Sequence, residues 1–102
     1  MIKELTSASF KEFISSDSKV LVDFWATWCG PCQMQGKMLH EAAEKDAAFA
    51  AKIGKLNVDN AQKLAADLGI DAIPALLVFQ KGKEVQRFIG VQQIDTLKAA
   101  LA

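Results

Sequence analysis

The stretch "VDFWATWCGPCQMQ", residues 22–35, contains the only two cysteines of the chain, Cys29 and Cys32, directly after an apolar run. That run, Lys19–Ala26, is rich in β-branched and aromatic residues and nearly continuously apolar, which predicts a strand covered on both faces. From about Pro31 to Phe49 the spacing of apolar residues becomes helical. The two cysteines are therefore predicted to lie where a strand ends and a helix begins.

The rest of the chain alternates between strand and helix patterns. The further predicted elements are a strand at Ile2–Leu5, a helix after a Thr6 or Ser7 cap, a strand at Ile53–Val58, a helix from an Asp59 or Asn60 cap to Leu68, strands at Ala75–Phe79 and Glu84–Ile89 around Gly82, and a helix at Gln92–Leu101. This order, β-α-β-α-β-α-β-β-α, predicts parallel pairs with right-handed crossovers, to which the final hairpin adds antiparallel pairing. We expect an α/β fold with a central mixed five-stranded sheet, flanked by four helices in three layers.

Length and composition limit the function. With 102 residues the chain is long enough for one domain, residues 1–102, and too short for two ordinary ones. Lys plus Arg and Asp plus Glu both number 12, and this balance argues against a generic nucleic-acid or membrane-surface binder. No apolar run approaches the roughly 20 residues of a membrane span, and "MIKELTSASF" at the N-terminus lacks the apolar core of a signal. We therefore expect a cytoplasmic protein without nucleic-acid or membrane partners.

The predicted position of the cysteines gives their spacing a chemical meaning. Two cysteines are too few for the disulfide framework of a small secreted domain, and a close pair in a chain without an export signal is more often catalytic or metal-binding. At a helix N-terminus, free N–H groups and the helix dipole stabilise the Cys29 thiolate. Cys32 lies one turn on, and Pro31 fits the first turn because its missing N–H is not needed there. The pattern predicts that Cys29 attacks a disulfide and that Cys32 resolves the mixed disulfide.

Two other interpretations of the pair stay open. A structural zinc site needs four Cys or His ligands, and this chain has two cysteines and one histidine, His40, so zinc would require a second chain. The pair could also be inert, although the Gly30-Pro31 insert at a strand-to-helix junction argues against that. We expect no metal, and we expect His40 to face solvent on its helix.

Four sequence blocks resemble the thioredoxin family, and the resemblance covers essentially the whole chain. They are "VDFWATWCGPC" (22–32), "KLNVD" (55–59), "IPALLVF" (73–79) and the glycine of "RFIGV" (87–91). The resemblance implies a thioredoxin fold and the reduction of protein disulfides without a prosthetic group. It also implies a monomer that receives electrons from an NADPH-dependent thioredoxin reductase and passes them to disulfide-containing substrate proteins.

Two charged residues acquire roles by this resemblance. Asp23 stands in an apolar strand, where a carboxylate is costly unless it is paired or protonated. The matching family position implies a buried acid with a raised pKa that exchanges a proton with Cys32; the alternatives are a satisfied polar group and a turn residue. Lys55 matches a lysine that approaches this aspartate, and its alternative is a solvated lysine at the start of a strand.

The resemblance also implies a flat apolar patch that docks partner proteins. In this interpretation the Ile73-Pro74 peptide bond is cis, lies beside the disulfide and pairs through its backbone with an extended substrate segment; otherwise Pro74 is an ordinary proline at a strand start. The patch is completed by residues near the cysteines and beyond the last strand: Trp28, Gly30, Pro31, Ile73, Gly90 and Val91. Gly90 could equally end a strand, and Trp25 is expected to pack rather than to react.

The chain departs from the family pattern after its second cysteine. Lys37, preceded by Gly36, stands where many members have a proline that kinks the helix, and Ala75 stands where threonine is common. The alanine-rich stretch 40–54 matches no family segment closely. It is expected to end the long helix early or in an irregular turn.

Two other functions stay open for the same sequence. The same fold could work in reverse, as an oxidant or a protein disulfide isomerase, and a reduction potential would separate these from a reductase. The apolar patch could also belong to a non-catalytic binding or processivity partner. In that case a protein with serine at both cysteine positions would keep its full activity.

Overall fold

The computed structural model describes residues 1–102 and contains five strands, five α-helices and one 3₁₀ turn. The strands are β1 (Lys3–Leu5), β2 (Val20–Trp25), β3 (Ile53–Asn57), β4 (Ala75–Gln80) and β5 (Lys83–Ile89). The helices are α1 (Ser7–Ile14), α2 (Gly30–Lys45), α3 (Ala47–Ala51), α4 (Gln62–Asp67) and α5 (Ile94–Ala100), and the 3₁₀ turn covers Val58–Asn60.

The strands form one mixed sheet in the order β1-β3-β2-β4-β5. Strand β3 is parallel to both β1 and β2, whereas β4 is antiparallel to both β2 and β5. The predicted α/β class with a five-stranded mixed sheet is confirmed. Antiparallel pairing extends further than the final hairpin, because β4 also runs against the central strand β2.

Two apolar clusters, one on each face of the sheet, account for the three layers. Alternate residues of a strand point to opposite faces, so Phe24 belongs to one cluster and Leu21 to the other. On the first face Phe10 of α1 packs edge-on against Phe24, with ring centroids 6.1 Å apart. On the second face Leu39 of α2 and Leu97 of α5 pack against the sheet and are fully buried. The side chain of Asp23 follows Leu21 by two residues and therefore points to the α2 side.

The prediction of one long helix from Pro31 to Phe49 is wrong at its C-terminal end, because the helix is interrupted at Asp46. The backbone of Asp46 is extended, and its carboxylate accepts the N–H of Phe49 at 3.0 Å, which starts α3. Lys98 of α5 holds the second carboxylate oxygen at 3.1 Å. The expectation that the long helix ends early within residues 40–54 is thus confirmed. The sheet is flanked by five α-helices rather than the four predicted.

The predicted start of the helix that ends near Leu68, which is α4 in the structure, is also wrong. Asp59 and Asn60 lie in the 3₁₀ turn, whose cap is the side chain of Asn57, and α4 begins after Ala61 without any side-chain cap. Its end agrees with the prediction, since Gly69 follows the helix with a φ of 69° that favours glycine. No helix has the length and apolar character needed to cross a membrane.

Candidate active site

The junction between β2 and α2 places the two cysteines as predicted. Cys29 is the N-cap residue of α2, and its sulfur accepts the backbone N–H of Cys32 at 3.2 Å. Pro31 occupies the first turn, where no intrahelical N–H bond is lost. The Cα atoms of the two cysteines are 5.2 Å apart and their sulfurs form a disulfide, so the structure represents the oxidised protein.

The two sulfurs are not equally accessible. Cys29 is 7% exposed and contributes to the wall of an open groove, whereas Cys32, in the first turn of α2, is 1% exposed and does not line the groove. The Sγ atom of Cys29 is 3.9 Å from the carbonyl oxygen of Ile73. A disulfide of another molecule that entered the groove would therefore meet Cys29 before Cys32.

The groove beside Cys29 has a volume of about 760 Å³ and is mainly apolar. It runs between the start of α2 and the region of α4, and several of the predicted docking residues line it: Trp28, Gly30, Pro31 and Ile73. Trp28 is 70% exposed, yet its indole is held in place because Nε1 donates a hydrogen bond of 2.9 Å to Asp59. The groove thus presents a fixed aromatic rim next to an accessible sulfur.

The remaining docking residues lie next to this groove rather than in its lining. The Ile73-Pro74 peptide bond is cis, as the resemblance implies, and Pro74 is buried. Gly90 donates its N–H to the carbonyl oxygen of Pro74 at 2.8 Å, so it does more than end β5, and Val91 is half-buried. The structure therefore joins the loop after β5 to the segment that contacts Cys29.

Asp23 lies at the centre of the sheet, below the disulfide-bearing helix, and is fully buried. Neither of its carboxylate oxygens has a hydrogen-bond partner in the protein. Burial raises the pKa of Asp23 to about 7; the positive charge of Lys55 acts in the opposite direction, and the negative charge of Glu4 adds slightly to the rise. An unpaired carboxyl with this pKa can both hold and release a proton near neutral pH.

Lys55 is the cross-strand neighbour of Asp23 in the parallel β2–β3 pair and is 8% exposed. It forms no ion pair with Asp23, since the three ion pairs of the protein join other residues. Its Nζ atom lies 4.6 Å from the ring centroid of Trp25, so the lysine is buried against an aromatic face rather than solvated. Gly36 of α2 leaves room for this arrangement, because a Cβ there would come within 3.1 Å of the Lys55 Nζ atom.

Two residues of this region were absent from the sequence prediction of the site. Asp59, interpreted as a helix cap, instead holds the Trp28 indole. Gln35 is fully buried and bonds the backbone of Gln92 with both ends of its amide. A helical spacing would have identified Gln35, since the buried face of α2 is formed by Cys32, Gln35, Gly36 and Leu39 rather than by the exposed Met34.

The residues that could bind a metal are dispersed. No group of three or more His, Cys, Asp and Glu side chains is placed to hold a metal ion. His40 is exposed on α2, as expected. The two cysteines are joined to each other in a disulfide.

Comparisons with known proteins agree with this geometry. A family model described as Thioredoxin matches residues 1–102. A thioredoxin from Alicyclobacillus acidocaldarius is 45% identical over 98 residues, which make up 96% of this chain and 92% of the relative. A bifunctional thioredoxin reductase/thioredoxin from Mycobacterium leprae is 41% identical over 90 residues, or 87% of this chain and 19% of that protein.

A solved structure is similar over nearly the same length. A mutant thioredoxin from Halobacterium salinarum has a TM-score of 0.84 at 33% identity, and the match covers 98% of this chain and 87% of that one. The likeness in sequence and the likeness in fold therefore both extend over nearly the whole chain.

Proposed function

The chain belongs to the thioredoxin family, and we propose that this protein-disulfide reductase uses Cys29 as the attacking thiol and Cys32 as the resolving one. The observation that carries the assignment is the position of the disulfide at the start of α2, with Cys29 open to the groove and Cys32 buried. Helix N–H groups and the helix dipole stabilise a sulfur anion at this position.

The first half of the reaction takes place in the groove. In the reduced protein, the Cys29 thiolate attacks one sulfur of a substrate disulfide, and the substrate S–S bond breaks as a new bond to Cys29 forms. The displaced substrate sulfur leaves as a thiolate and takes a proton from water. The product is a mixed disulfide between Cys29 and the substrate.

The second half needs a base for Cys32, which has little access to water. We assign this role to Asp23, whose pKa of about 7 allows it to accept the thiol proton at neutral pH. The Cys32 thiolate then attacks the Cys29 sulfur, the mixed disulfide breaks, and the second substrate thiolate leaves and takes a proton from water, while Asp23 returns the Cys32 proton to the solvent. Two electrons and two protons have then passed to the substrate, and Cys29 and Cys32 are joined. Lys55 acts through Asp23, because its positive charge lowers the pKa of that carboxyl.

Substrate docking follows from the apolar groove and the backbone around Pro74. Trp28, Pro31 and Ile73 supply apolar contacts next to Cys29, while the Ile73-Pro74 segment lies beside it and can pair with an extended chain. Gly90 and Val91 would extend the docking surface beyond Pro74. The substrate class is therefore a protein segment that carries an accessible disulfide.

The electron donor in this proposal is a thioredoxin reductase, itself supplied by NADPH. The relative from Mycobacterium leprae supports such a partner, because its name combines a reductase with a thioredoxin. We further propose that the chain is a single domain that acts as a monomer in the cytoplasm.

Serine substitutions at the two cysteines test the assignment of roles. Cys29→Ser is expected to abolish insulin reduction, since no nucleophile remains in the groove, whereas Cys32→Ser should accumulate a stable mixed disulfide that non-reducing electrophoresis detects. The two variants are controls for each other, because both lack the internal disulfide. Residual insulin turnover by Cys29→Ser, or trapping by Cys29→Ser instead of Cys32→Ser, would reverse the roles.

A further inference from the structure

A buried amide ties the helix of the cysteines to the loop that follows β5. Gln35 lies one turn after Cys32 on the same face of α2 and has no exposed surface. Its Oε1 atom accepts the backbone N–H of Gln92 at 2.6 Å, and its Nε2 atom donates to the carbonyl oxygen of Gln92 at 3.2 Å. Both ends of the side chain are thus used to hold one residue of the loop.

The same loop is anchored a second time, next to the disulfide. Gly90 donates its N–H to the carbonyl oxygen of Pro74 at 2.8 Å. Within the loop, the Gln92 side chain donates to the Gly90 carbonyl oxygen at 3.3 Å. The backbone from Gly90 to Gln92 is therefore held between Pro74 on one side and Gln35 on the other. Because Gln35 and Cys32 lie on the same helix, the bonds from Gln35 to Gln92 fix the position of the loop relative to the disulfide.

We propose that Gln35 is a positioning residue that holds the Gly90–Gln92 loop in register with Pro74 and Cys29, and thereby controls the docking of protein substrates. This inference rests on the function proposed above. An apolar residue at position 35 would leave the N–H and C=O of Gln92 without these partners, and the loop would keep only its bond to Pro74. A displaced loop weakens the contact with an extended protein segment, whereas the Cys29 sulfur and its helix N-terminus stay unchanged.

The test compares a large with a small disulfide. Pre-reduced protein is mixed in single turnover with insulin or with hydroxyethyl disulfide, so that no reductase is needed. For Gln35→Leu, we expect the half-saturating insulin concentration to rise about fivefold, which is the size of effect expected if the displaced loop weakens docking by about one hydrogen bond to the substrate, with the maximal rate unchanged. The second-order rate constant for hydroxyethyl disulfide should stay within about twofold of the parent value.

A stability control separates positioning from general loosening of the fold. Leu39→Ala removes buried apolar contacts from the same helix but does not touch the loop. We expect it to unfold at a lower temperature while keeping the parent ratio of insulin to hydroxyethyl disulfide reactivity. Amide hydrogen exchange adds a readout of loop position: Gln35→Leu should speed exchange at Gly90, whose own bond partner is intact, and Leu39→Ala should not. Gln35→Met is a second variant, with the same expected shifts, should the leucine variant fail to fold.

The outcomes distinguish this inference from the function on which it rests. An unchanged insulin response in Gln35→Leu and Gln35→Met, or an equal loss with both disulfides, overturns the positioning role, as does a matching ratio change in Leu39→Ala. If the parent protein itself reduces neither disulfide, the proposed function fails.

Discussion

Two polar side chains are completely buried in this protein, Asp23 in the central strand and Gln35 in the cysteine-bearing helix, and their surroundings are opposite. Neither oxygen of Asp23 has a hydrogen-bond partner, whereas the oxygen and the nitrogen of Gln35 both bond the backbone of Gln92. A buried polar group without partners costs free energy, and a group with partners can hold two segments together. The comparison indicates that the unpaired side chain serves proton transfer and the paired one serves geometry.

The difference in charge supports the same division. Asp23 can respond to burial by remaining protonated, and burial raises its pKa to about 7. Gln35 does not titrate near neutral pH, so the cost of burying its amide is offset only by its two hydrogen bonds to Gln92. Substitutions at Asp23 should therefore have effects that depend on pH, and substitutions at Gln35 should not.

The largest expected effect concerns the stability of oxidised Asp23→Asn. In the folded parent protein the pKa of Asp23 is about 7, above its ordinary value of 3.8, so the folded state holds a proton that the unfolded state releases. The stability of the parent should fall as the pH rises from about 4 to about 7, by about 4 kcal/mol in total. Relative to the parent, Asp23→Asn should gain that amount over the same range, which urea unfolding at a series of pH values measures.

The same variant tests the role of Asp23 in catalysis. Asp23→Asn should slow the resolution of the mixed disulfide near neutral pH, because Cys32 loses its base, and stopped-flow measurement of substrate release follows this step. A stability difference that stays flat between about pH 4 and about pH 8 would show that Asp23 titrates normally. A resolution rate equal to that of the parent would remove its proton-transfer role.

A smaller and pH-independent effect is expected for the stability of Gln35→Leu. The variant loses two hydrogen bonds to a half-buried backbone, which should reduce the free energy of unfolding by about 1–2 kcal/mol. Urea unfolding should give the same loss at about pH 4 and about pH 8, since no titrating group is removed. Gln33→Leu on the exposed side of α2 is the matched control. It removes only an exposed hydrogen bond, from Gln33 Nε2 to the carbonyl oxygen of Thr27, and should change stability by less than about 0.5 kcal/mol. A loss that varied with pH would mean that Gln35 and Asp23 act on each other.

The sequence predicted the sheet and the reactive pair because both leave strong local signals. An apolar strand followed closely by Cys29 can be interpreted without knowledge of the packing, and so can a helical pattern that begins near Pro31. Asp23 was also identified, because a carboxylate within an apolar run is conspicuous. Its lack of partners was not foreseen, since that depends on which atoms β3 and α2 bring near it.

Other features depended on long-range packing and could not be read from local pattern. A glutamine in a helix is usually exposed, and only its spacing from Cys32 and Leu39 pointed to burial of Gln35; its partner Gln92, distant in sequence, depends on the folded structure. In the sequence, Asp46 is compatible with the exposed side of a continuous helix and with the N-cap of a new one. The structure shows the N-cap, and Asp46 there also forms an ion pair with Lys98, which is distant in sequence. Asp59 was a reasonable helix cap locally, but the Trp28 indole competes for its carboxylate.

The smallest expected effects concern the charges around Asp23, and they test whether its proton responds to neighbours as well as to burial. Lys55 lowers the pKa of Asp23 and Glu4 raises it by less, so Lys55→Met should move that pKa upward and Glu4→Gln should move it slightly downward. Carbon NMR titration of the Asp23 carboxyl in the oxidised protein measures both shifts, with exposed Glu12→Gln as a control that should leave the pKa unchanged. Shifts of equal size in all three variants, upward for Lys55→Met and downward for both glutamate variants, would mean that long-range net charge rather than position governs the pKa of Asp23. Gln35 is not among the causes of the raised pKa of Asp23, so Gln35→Leu is expected to leave that pKa unchanged. A shift as large as that in Lys55→Met would show that the paired amide also affects the Asp23 proton.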